Sequence, residues 1–154
     1  MRDPLTVMRI RRGERRHTFG MVRHHANGKP KAHQGWDLSA APGTPIYGIA
    51  DGTVAYAVYH GAYGLQLCLA FSHNGAKKYA FYAHLSTIYV SSGQSVSAGQ
   101  LVGATGTSGN ADGLPAADTH LHFEIRSSPH LRKGLGGRED PGNVLGFGAL
   151  VNVH

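Results

Sequence analysis

Two short stretches of the sequence carry metal-binding residue types at close spacing. His33 and Asp37 stand four residues apart around a glycine, and His120 and His122 stand two apart in THLHFEIR. Side chains at positions i and i+2 of a β-strand point to the same face, about 7 Å apart along the chain. Two imidazoles on one strand face indicate a metal or catalytic site, with an incidental pair of surface histidines as the alternative.

The spacing of His33 and Asp37 suits one face of a helix, but the prolines and glycines around them argue against helix. In a fully extended chain the two side chains would start about 13 Å apart, too far to share an ion bound at about 2 Å. A bend at Gln34–Gly35 would bring them together. Imidazole nitrogen and carboxylate oxygen suit zinc, and a third ligand from the HxH strand would leave a fourth position for water.

The elements that must position these residues are strands. In 119–126, Leu121, Phe123 and Ile125 alternate with His120, His122, Glu124 and Arg126. Other runs rich in Val, Ile, Tyr and Phe lie between turn residues, at 45–50, 52–60, 64–71, 77–84 and 93–106. Of two hairpin-like breaks, before Thr53 and before Tyr79, the Asn74-Gly75 pair is the stronger turn signal. No amphipathic helix is evident, so the sequence predicts an all-β fold, mainly an antiparallel sheet with glycine-rich loops.

Length and composition indicate one domain. The chain has 154 residues, enough for a buried core, and we divide it into a polar basic lead-in at 1–18 and a single domain at 19–154. Its only cysteine, Cys68, excludes an intramolecular disulfide and is expected to pack within a strand. No apolar run approaches the roughly 20 residues of a transmembrane helix, and the chain as given shows no secretory signal.

Charge indicates an anionic partner. The net charge of +6 and the isoelectric point near 9.7 are compatible with binding to nucleic acid, to an anionic membrane or to an acidic cell-wall polymer. The alternative is a solvated surface that only aids solubility. The strands lack the interleaved aromatic and basic residues of single-strand binders, and nucleic-acid binding would leave the histidines and Asp37 unexplained. We therefore expect no nucleic-acid partner.

Four motifs together resemble the lysostaphin-type zinc endopeptidases, bacterial enzymes that cut cross-links or stem peptides of peptidoglycan. They are HxxxD at 33–37, YAHLS at 82–86, GQSVSAGQLVGATGTSG at 93–109 and HLHFE at 120–124, in the order and approximate spacing of that family. The resemblance implies that domain 19–154 is a zinc peptidase catalytic domain with one Zn²⁺ per chain. It implies His33, Asp37 and His122 as zinc ligands, and His84 and His120 as catalytic histidines that do not bind the metal.

The sequence leaves the roles of His84 and His120 open, although the strand face that His120 shares with His122 favours it as the general base. The link at 110–119 is longer than is usual in the family, and no Gly-Pro precedes His120. That link is either a longer surface loop or a wall that shapes the substrate groove, and Asp112 or Asp118 could lie near the metal. We expect Trp36 to pack behind the metal loop.

Function is accordingly predicted as hydrolysis of peptidoglycan peptides in the bacterial periplasm or cell wall. The basic surface would hold the enzyme near anionic cell-wall polymers. The alternative is an inactive relative that binds cell wall or activates a partner hydrolase. Without a secretory signal in the chain as given, we consider three interpretations: a piece of a larger protein, an injected antibacterial toxin with an immunity protein as partner, or a lysis enzyme.

Overall fold

The computed structural model describes residues 1–154 and contains eleven strands and one short helix. The elements are β1 (Gly20–His24), β2 (Pro30–His33), β3 (Trp36–Ser39), β4 (Pro45–Tyr47), β5 (Gly52–Tyr59), β6 (Leu65–His73), β7 (Ala76–Ile88), β8 (Ser95–Val96), β9 (Leu101–Thr105), β10 (His120–Arg126), β11 (Arg138–Glu139) and α1 (Gly142–Leu145). Short 3-10 turns connect several of them, including Arg11–Gly13, Arg15–His17 and Ala116–Asp118. The chain has no helix of the length and apolarity that crossing a bilayer requires.

Nine of the strands form one antiparallel sheet, which confirms the predicted fold class. The strand order along its main path is β11-β10-β7-β6-β5-β8, while β3 also pairs with β10, and β9 pairs with both β7 and β4. Strands β1 and β2 form a separate two-stranded sheet. Each run predicted from β-forming residues contains at least one strand, because the glycines, asparagines and prolines between the runs end each strand.

The longest strand, β7, follows a tight turn at Asn74-Gly75. Both turn residues have positive φ, 50° and 79°, as the hairpin turn of type I′ requires, and Asn and Gly are the residues that adopt this backbone most readily. The turn pairs β6 with β7 from His73–Ala76 onward. Beyond this hairpin, β7 also pairs with β10 and then with β9, so it links the two sides of the sheet.

The core lies on one face of β10. Leu121, Phe123 and Ile125 are fully buried in the main apolar cluster together with Trp36, so the predicted packing role of Trp36 is confirmed. Phe123 also meets Tyr82 edge to face, with 5.2 Å between ring centroids. The polar face of β10 is equally buried, a point that its alternating pattern does not predict. A buried face made of histidines and charged residues requires internal polar partners.

Residues 1–18 pack against the sheet. Leu5 and Ile10 belong to the main core cluster, and Ile10 forms a β-bridge with Leu38 of β3. The Asn152 side chain accepts from the Ile10 amide at 3.2 Å and donates to the Ile10 carbonyl at 3.0 Å. The division at residue 18 stays a prediction, but this segment shares the apolar core of residues 19–154.

Candidate metal centre

Strand register brings Asp37 beside His122. Strand β10 lies between β3 and β7, and His122 is directly opposite Asp37 on one side and Ala83 on the other. Neighbouring strands lie about 4.8 Å apart, so side chains on the same face of opposite residues are in contact. Two residues separated by 85 positions in the chain therefore meet because three strands share one register.

The predicted bend at Gln34–Gly35 separates β2 from β3. A Cβ atom at position 35 would lie 2.1 Å from the carbonyl oxygen of Phe123, so only glycine allows the chain to turn this close to β10. The bend brings His33 back toward Asp37, with Nε2 of His33 at 3.2 Å from Oδ1 of Asp37. The glycine within HxxxD is thus required by packing against the strand that carries HxH.

Three ligand-type atoms converge in the buried centre. Nδ1 of His122 lies 2.9 Å from Oδ1 of Asp37, and one ligand atom from each of His33, Asp37 and His122 lies within 4.8 Å of the others. All three residues are buried. Two nitrogens and one oxygen at this spacing fit a zinc-type site, because an ion bound at about 2 Å from each atom fills the space between them.

Hydrogen bonds to backbone carbonyls fix three of the imidazoles. Nδ1–H of His33, His84 and His120 donates to the carbonyl oxygens of Thr18, Ser108 and Asp118, at 2.7, 2.8 and 2.8 Å respectively. A carbonyl oxygen only accepts, so the proton must be on Nδ1 and the Nε2 lone pair is free. In His33 that lone pair faces Asp37, and Nε2 of His120 lies 3.7 Å from the same Oδ1 atom.

His122 has the opposite orientation. Its Nδ1 faces Asp37, and its Nε2–H donates to Oε2 of Glu124 at 2.7 Å. A metal-binding histidine commonly donates its second N–H to a carboxylate, which orients the ring and raises its basicity. Glu124 was quoted in the HLHFE motif but was not predicted to support the metal, although its place two residues after His122 on one strand face is the signal that could have identified it.

His84 lies where β7 changes partners. Ala83 is the last residue of β7 paired with β10, and Leu85 is the first paired with β9. Between them His84 has a φ of 60°, a left-handed conformation that is rare for residues other than glycine. This conformation directs the imidazole toward the centre. The centroid of its ring lies 5.2 Å from that of His120 and 6.1 Å from that of His122.

The second oxygen of Asp37 is held by residues that sequence reasoning did not identify. Oδ2 accepts from Nη2 of Arg23 at 3.0 Å and from Nδ1 of His17 at 3.2 Å. Nη1 of Arg11 lies 3.5 Å away. These contacts orient the carboxylate so that Oδ1 is left for the centre. No spacing rule links these three residues to Asp37, and two of them lie in the segment interpreted as a polar lead-in.

The environment sets the charge of the centre. Burial alone would raise the pKa of Asp37, but the neighbouring imidazoles of His122, His17 and His33 outweigh burial and hold that pKa well below its usual value. Burial would lower the pKa of His122, but its two carboxylate partners raise it to about 9. Asp37 is therefore anionic, and His122 must lose a proton from Nδ1 before that atom can bind a cation.

The pKa values of the other three histidines of the centre, His33, His84 and His120, are shifted in the opposite direction to that of His122. Burial, followed by the charges of His122 and His120, lowers the pKa of His84 to about 4. Burial likewise lowers the pKa of His120 and of His33. All three are neutral near pH 7, with Nε2 able to accept a proton or a metal ion.

A groove of about 1020 Å³ opens onto these residues. Its walls are strongly cationic, with Arg11, Arg23, Lys31, Arg126, Lys133 and Arg138 against the single carboxylate of Asp37. The link at 110–119 contributes Asn110 and Leu114 to the wall. Asp112 is exposed, and the Asp118 carboxylate binds Arg11 and Arg12; neither aspartate belongs to the ligand-type group.

Comparison with known proteins gives the family that the four sequence motifs resemble. The family model described as peptidase family M23 matches residues 31–134, more than half of the chain. The peptidoglycan DD-endopeptidase ShyC of Vibrio cholerae is 35% identical over 102 residues, which cover 66% of this chain and 22% of ShyC. The chain thus spans about a fifth of the length of such curated relatives.

Solved structures share the architecture. The catalytic domain of the antimicrobial peptidase lysostaphin from Staphylococcus simulans is 28% identical, with a TM-score of 0.66 over 83% of this chain and 88% of that domain. A zinc-containing peptidase from Vibrio cholerae is 32% identical, with a TM-score of 0.60 over 77% of this chain and 36% of that one. The matched sequence and the shared architecture place this chain in peptidase family M23, the lysostaphin-type metallopeptidases of peptidoglycan.

Proposed function

We propose that the protein is a zinc-dependent endopeptidase that hydrolyses a peptide bond of bacterial peptidoglycan. The observation that carries this proposal is the convergence of His33 Nε2, Asp37 Oδ1 and His122 Nδ1 on the floor of an open groove, beside His84 and His120. The names of its relatives support peptidoglycan as the substrate and zinc as the metal.

In this proposal His33, Asp37 and His122 hold one Zn²⁺ per chain. Bound zinc lowers the pKa of a water ligand and polarises a carbonyl group as a Lewis acid. Glu124 orients His122 through its Nε2–H, and Arg23 and His17 orient Asp37 through Oδ2. Every ligand has a second partner, an arrangement found around metals rather than around chance clusters of histidine.

His120 acts as the general base and His84 as its partner in binding the reacting groups. Each is a neutral imidazole whose Nδ1–H is engaged by a carbonyl, which leaves Nε2 to accept a proton from water and then to return it to the leaving amine. We assign the base to His120 because its Nε2 lies 3.7 Å from the ligand oxygen of Asp37. His84 stands across from it in the wall of the groove.

The cationic groove points to a peptide that carries free carboxylates. The four lining arginines each face a carboxylate of the protein, whereas Lys31 and Lys133 take part in no ion pair within the fold and remain available to substrate. A stem peptide presents carboxylates, so we propose that the enzyme acts on stem or cross-linking peptides in the periplasm or cell wall. Anionic wall polymers would bind the exposed basic residues.

The alternative predicted from the sequence, an inactive relative that binds cell wall or activates a hydrolase, is less well supported because all three ligand positions and both catalytic positions are filled. An antibacterial role with an immunity protein stays a prediction from the sequence.

The test is zinc analysis together with digestion of purified peptidoglycan of defined cross-link type. We expect about one zinc per chain and new peptide fragments whose masses identify the bond, with no fragments from Asp37→Ala. A zinc-free protein that binds peptidoglycan without cutting it would favour the inactive relative.

A further inference from the structure

A cluster of charged residues outside the metal centre connects the start of the chain to His120. Arg11 and Arg12 bind the carboxylate of Asp118, and the backbone of Asp118 binds His120. We infer that this Arg11–Arg12–Asp118 clamp is a positioning device for the general base, an inference that rests on the role proposed above for His120. None of the three was predicted to act on His120 from the sequence.

The carboxylate end of the clamp is strongly held. Nε and Nη2 of Arg12 donate to Oδ1 and Oδ2 of Asp118 at 2.7 and 3.0 Å, a bidentate pair. Nε of Arg11 donates to Oδ1 at 3.1 Å. Parallel N–H bonds from one guanidinium fix the direction of a carboxylate as well as its distance, so the two arginines determine where residue 118 lies.

The backbone end of the clamp reaches the imidazole. The Asp118 carbonyl accepts Nδ1–H of His120 at 2.8 Å, and this bond keeps Nε2 without a proton and aimed at the groove. Residue 118 ends the Ala116–Asp118 turn, and one residue separates it from β10. Its neighbours at 115–117 are exposed, so this turn is held by polar contacts, namely the two arginines and two local hydrogen bonds, from the Asp118 amide to the Pro115 carbonyl and from the Thr119 hydroxyl to the Ala116 carbonyl.

The arginine end is itself anchored. Ile10 is fixed by its bridge to Leu38 and by two hydrogen bonds to Asn152. Arg12 then has a φ of 54°, a left-handed conformation that is unfavourable for a residue with a side chain. This backbone turn directs the Arg12 side chain to Asp118. Strain maintained at one residue beside a functional group is typical of positions whose geometry is used.

Substitution of Arg12 tests the positioning role separately from direct catalysis. It does not line the groove, unlike Arg11, which also contacts Asp37. Any effect of Arg12 on the reaction must therefore pass through Asp118. Arg16 offers a matched control in the same segment, because its side chain binds Glu14 at 3.2 Å on the surface and contacts neither Asp118 nor His120.

The experiment compares Arg12→Ala, Arg12→Lys and Arg16→Ala in the zinc-loaded protein with a soluble peptide substrate. We expect Arg12→Ala to lower kcat by about 10- to 100-fold, the scale of a small misplacement of a catalytic group, with KM and zinc content unchanged. Arg12→Lys keeps the charge without the bidentate geometry, so its kcat should lie between those of Arg12→Ala and wild type. Arg16→Ala should match wild type.

Long-range proton–nitrogen NMR of the histidine rings supplies a readout that needs no activity. His120 should be protonated at Nδ1 alone in wild type and in Arg16→Ala, and should show mixed tautomers in Arg12→Ala. An unchanged tautomer, an unchanged kcat, or a fall in kcat that accompanies zinc loss would overturn the inference. Wild-type protein without zinc or activity would instead refute the proposed function, and the tautomer would still decide the clamp.

Discussion

Oε2 of Glu124 lies 2.7 Å from Nε2 of His122, and the Glu124 side chain is completely buried. The other oxygen, Oε1, accepts from Nε of Arg126 at 2.8 Å and from Nε of Arg138 at 2.6 Å, while Oε2 also accepts from the Tyr63 hydroxyl at 2.7 Å. Burial would raise the pKa of Glu124, but His122 and the two arginines lower it far more. A permanent anion therefore sits behind one proposed zinc ligand.

We predict that Glu124→Gln weakens zinc binding by about 10- to 100-fold, the usual effect of removing a carboxylate behind a metal-binding histidine. The amide keeps the size of the side chain but removes the charge that makes His122 basic. Competition with a chelator of known affinity measures the change. Glu139→Gln is the control, because Glu139 pairs with Lys78 elsewhere on the sheet; equal losses in both variants would contradict a specific role.

Substitution of a proposed zinc ligand and substitution of a proposed catalytic histidine should have different effects on zinc content. His122→Ala removes a proposed ligand, so zinc and activity should be lost together. His84→Ala should keep zinc and lose activity by about 10²-fold or more, the scale of an acid–base or oxyanion partner. Metal analysis and peptide cleavage on the same samples decide this, and loss of zinc from His84→Ala would show that the ligand assignment is wrong.

Zinc affinity should rise steeply with pH. In the metal-free protein the pKa of His122 is raised to about 9, so below that pH the ion must displace a proton from Nδ1. Affinity should increase by up to tenfold per pH unit between about pH 7 and 9 and level off above. The same proton stabilises the metal-free fold at and below the usual histidine pKa, and this stabilisation is lost as pH rises toward 9. Chelator competition at fixed ionic strength tests the slope, and a flat profile would contradict it.

Lys31 and Lys133 should determine preference for charged substrates. Replacing both with alanine should raise KM for a stem peptide with free carboxylates and leave KM for its amidated form nearly unchanged, because an amide presents no charge to the groove. The wild-type preference should also decrease with salt, since ions screen exposed charges. Equal KM changes for both peptides would indicate that the lysines shape the groove sterically.

Much of the fold and the centre follows from local pattern. Alternation in 119–126 places His120, His122 and Glu124 on one face, and the Asn74-Gly75 signal gives the longest hairpin. Contacts between distant segments are not encoded in this way. Arg12 and Asp118 are separated by 106 positions, and nothing in an exposed arginine distinguishes one that clamps a turn from one that meets only solvent. Similarly, an alternating strand predicts two faces without showing that both are buried.

At position 84 the requirements of fold stability and of activity are opposed. A residue with a side chain at φ 60° costs about 1–2 kcal/mol relative to glycine, and a neutral buried imidazole destabilises the fold further in acid, because the unfolded chain takes up the proton first. We therefore expect His84→Gly to unfold at a higher temperature than wild type at pH 5 while losing activity by about 10²-fold or more, as expected for His84→Ala. Selection of variants for heat tolerance alone would discard this histidine, so only selection for turnover would retain it.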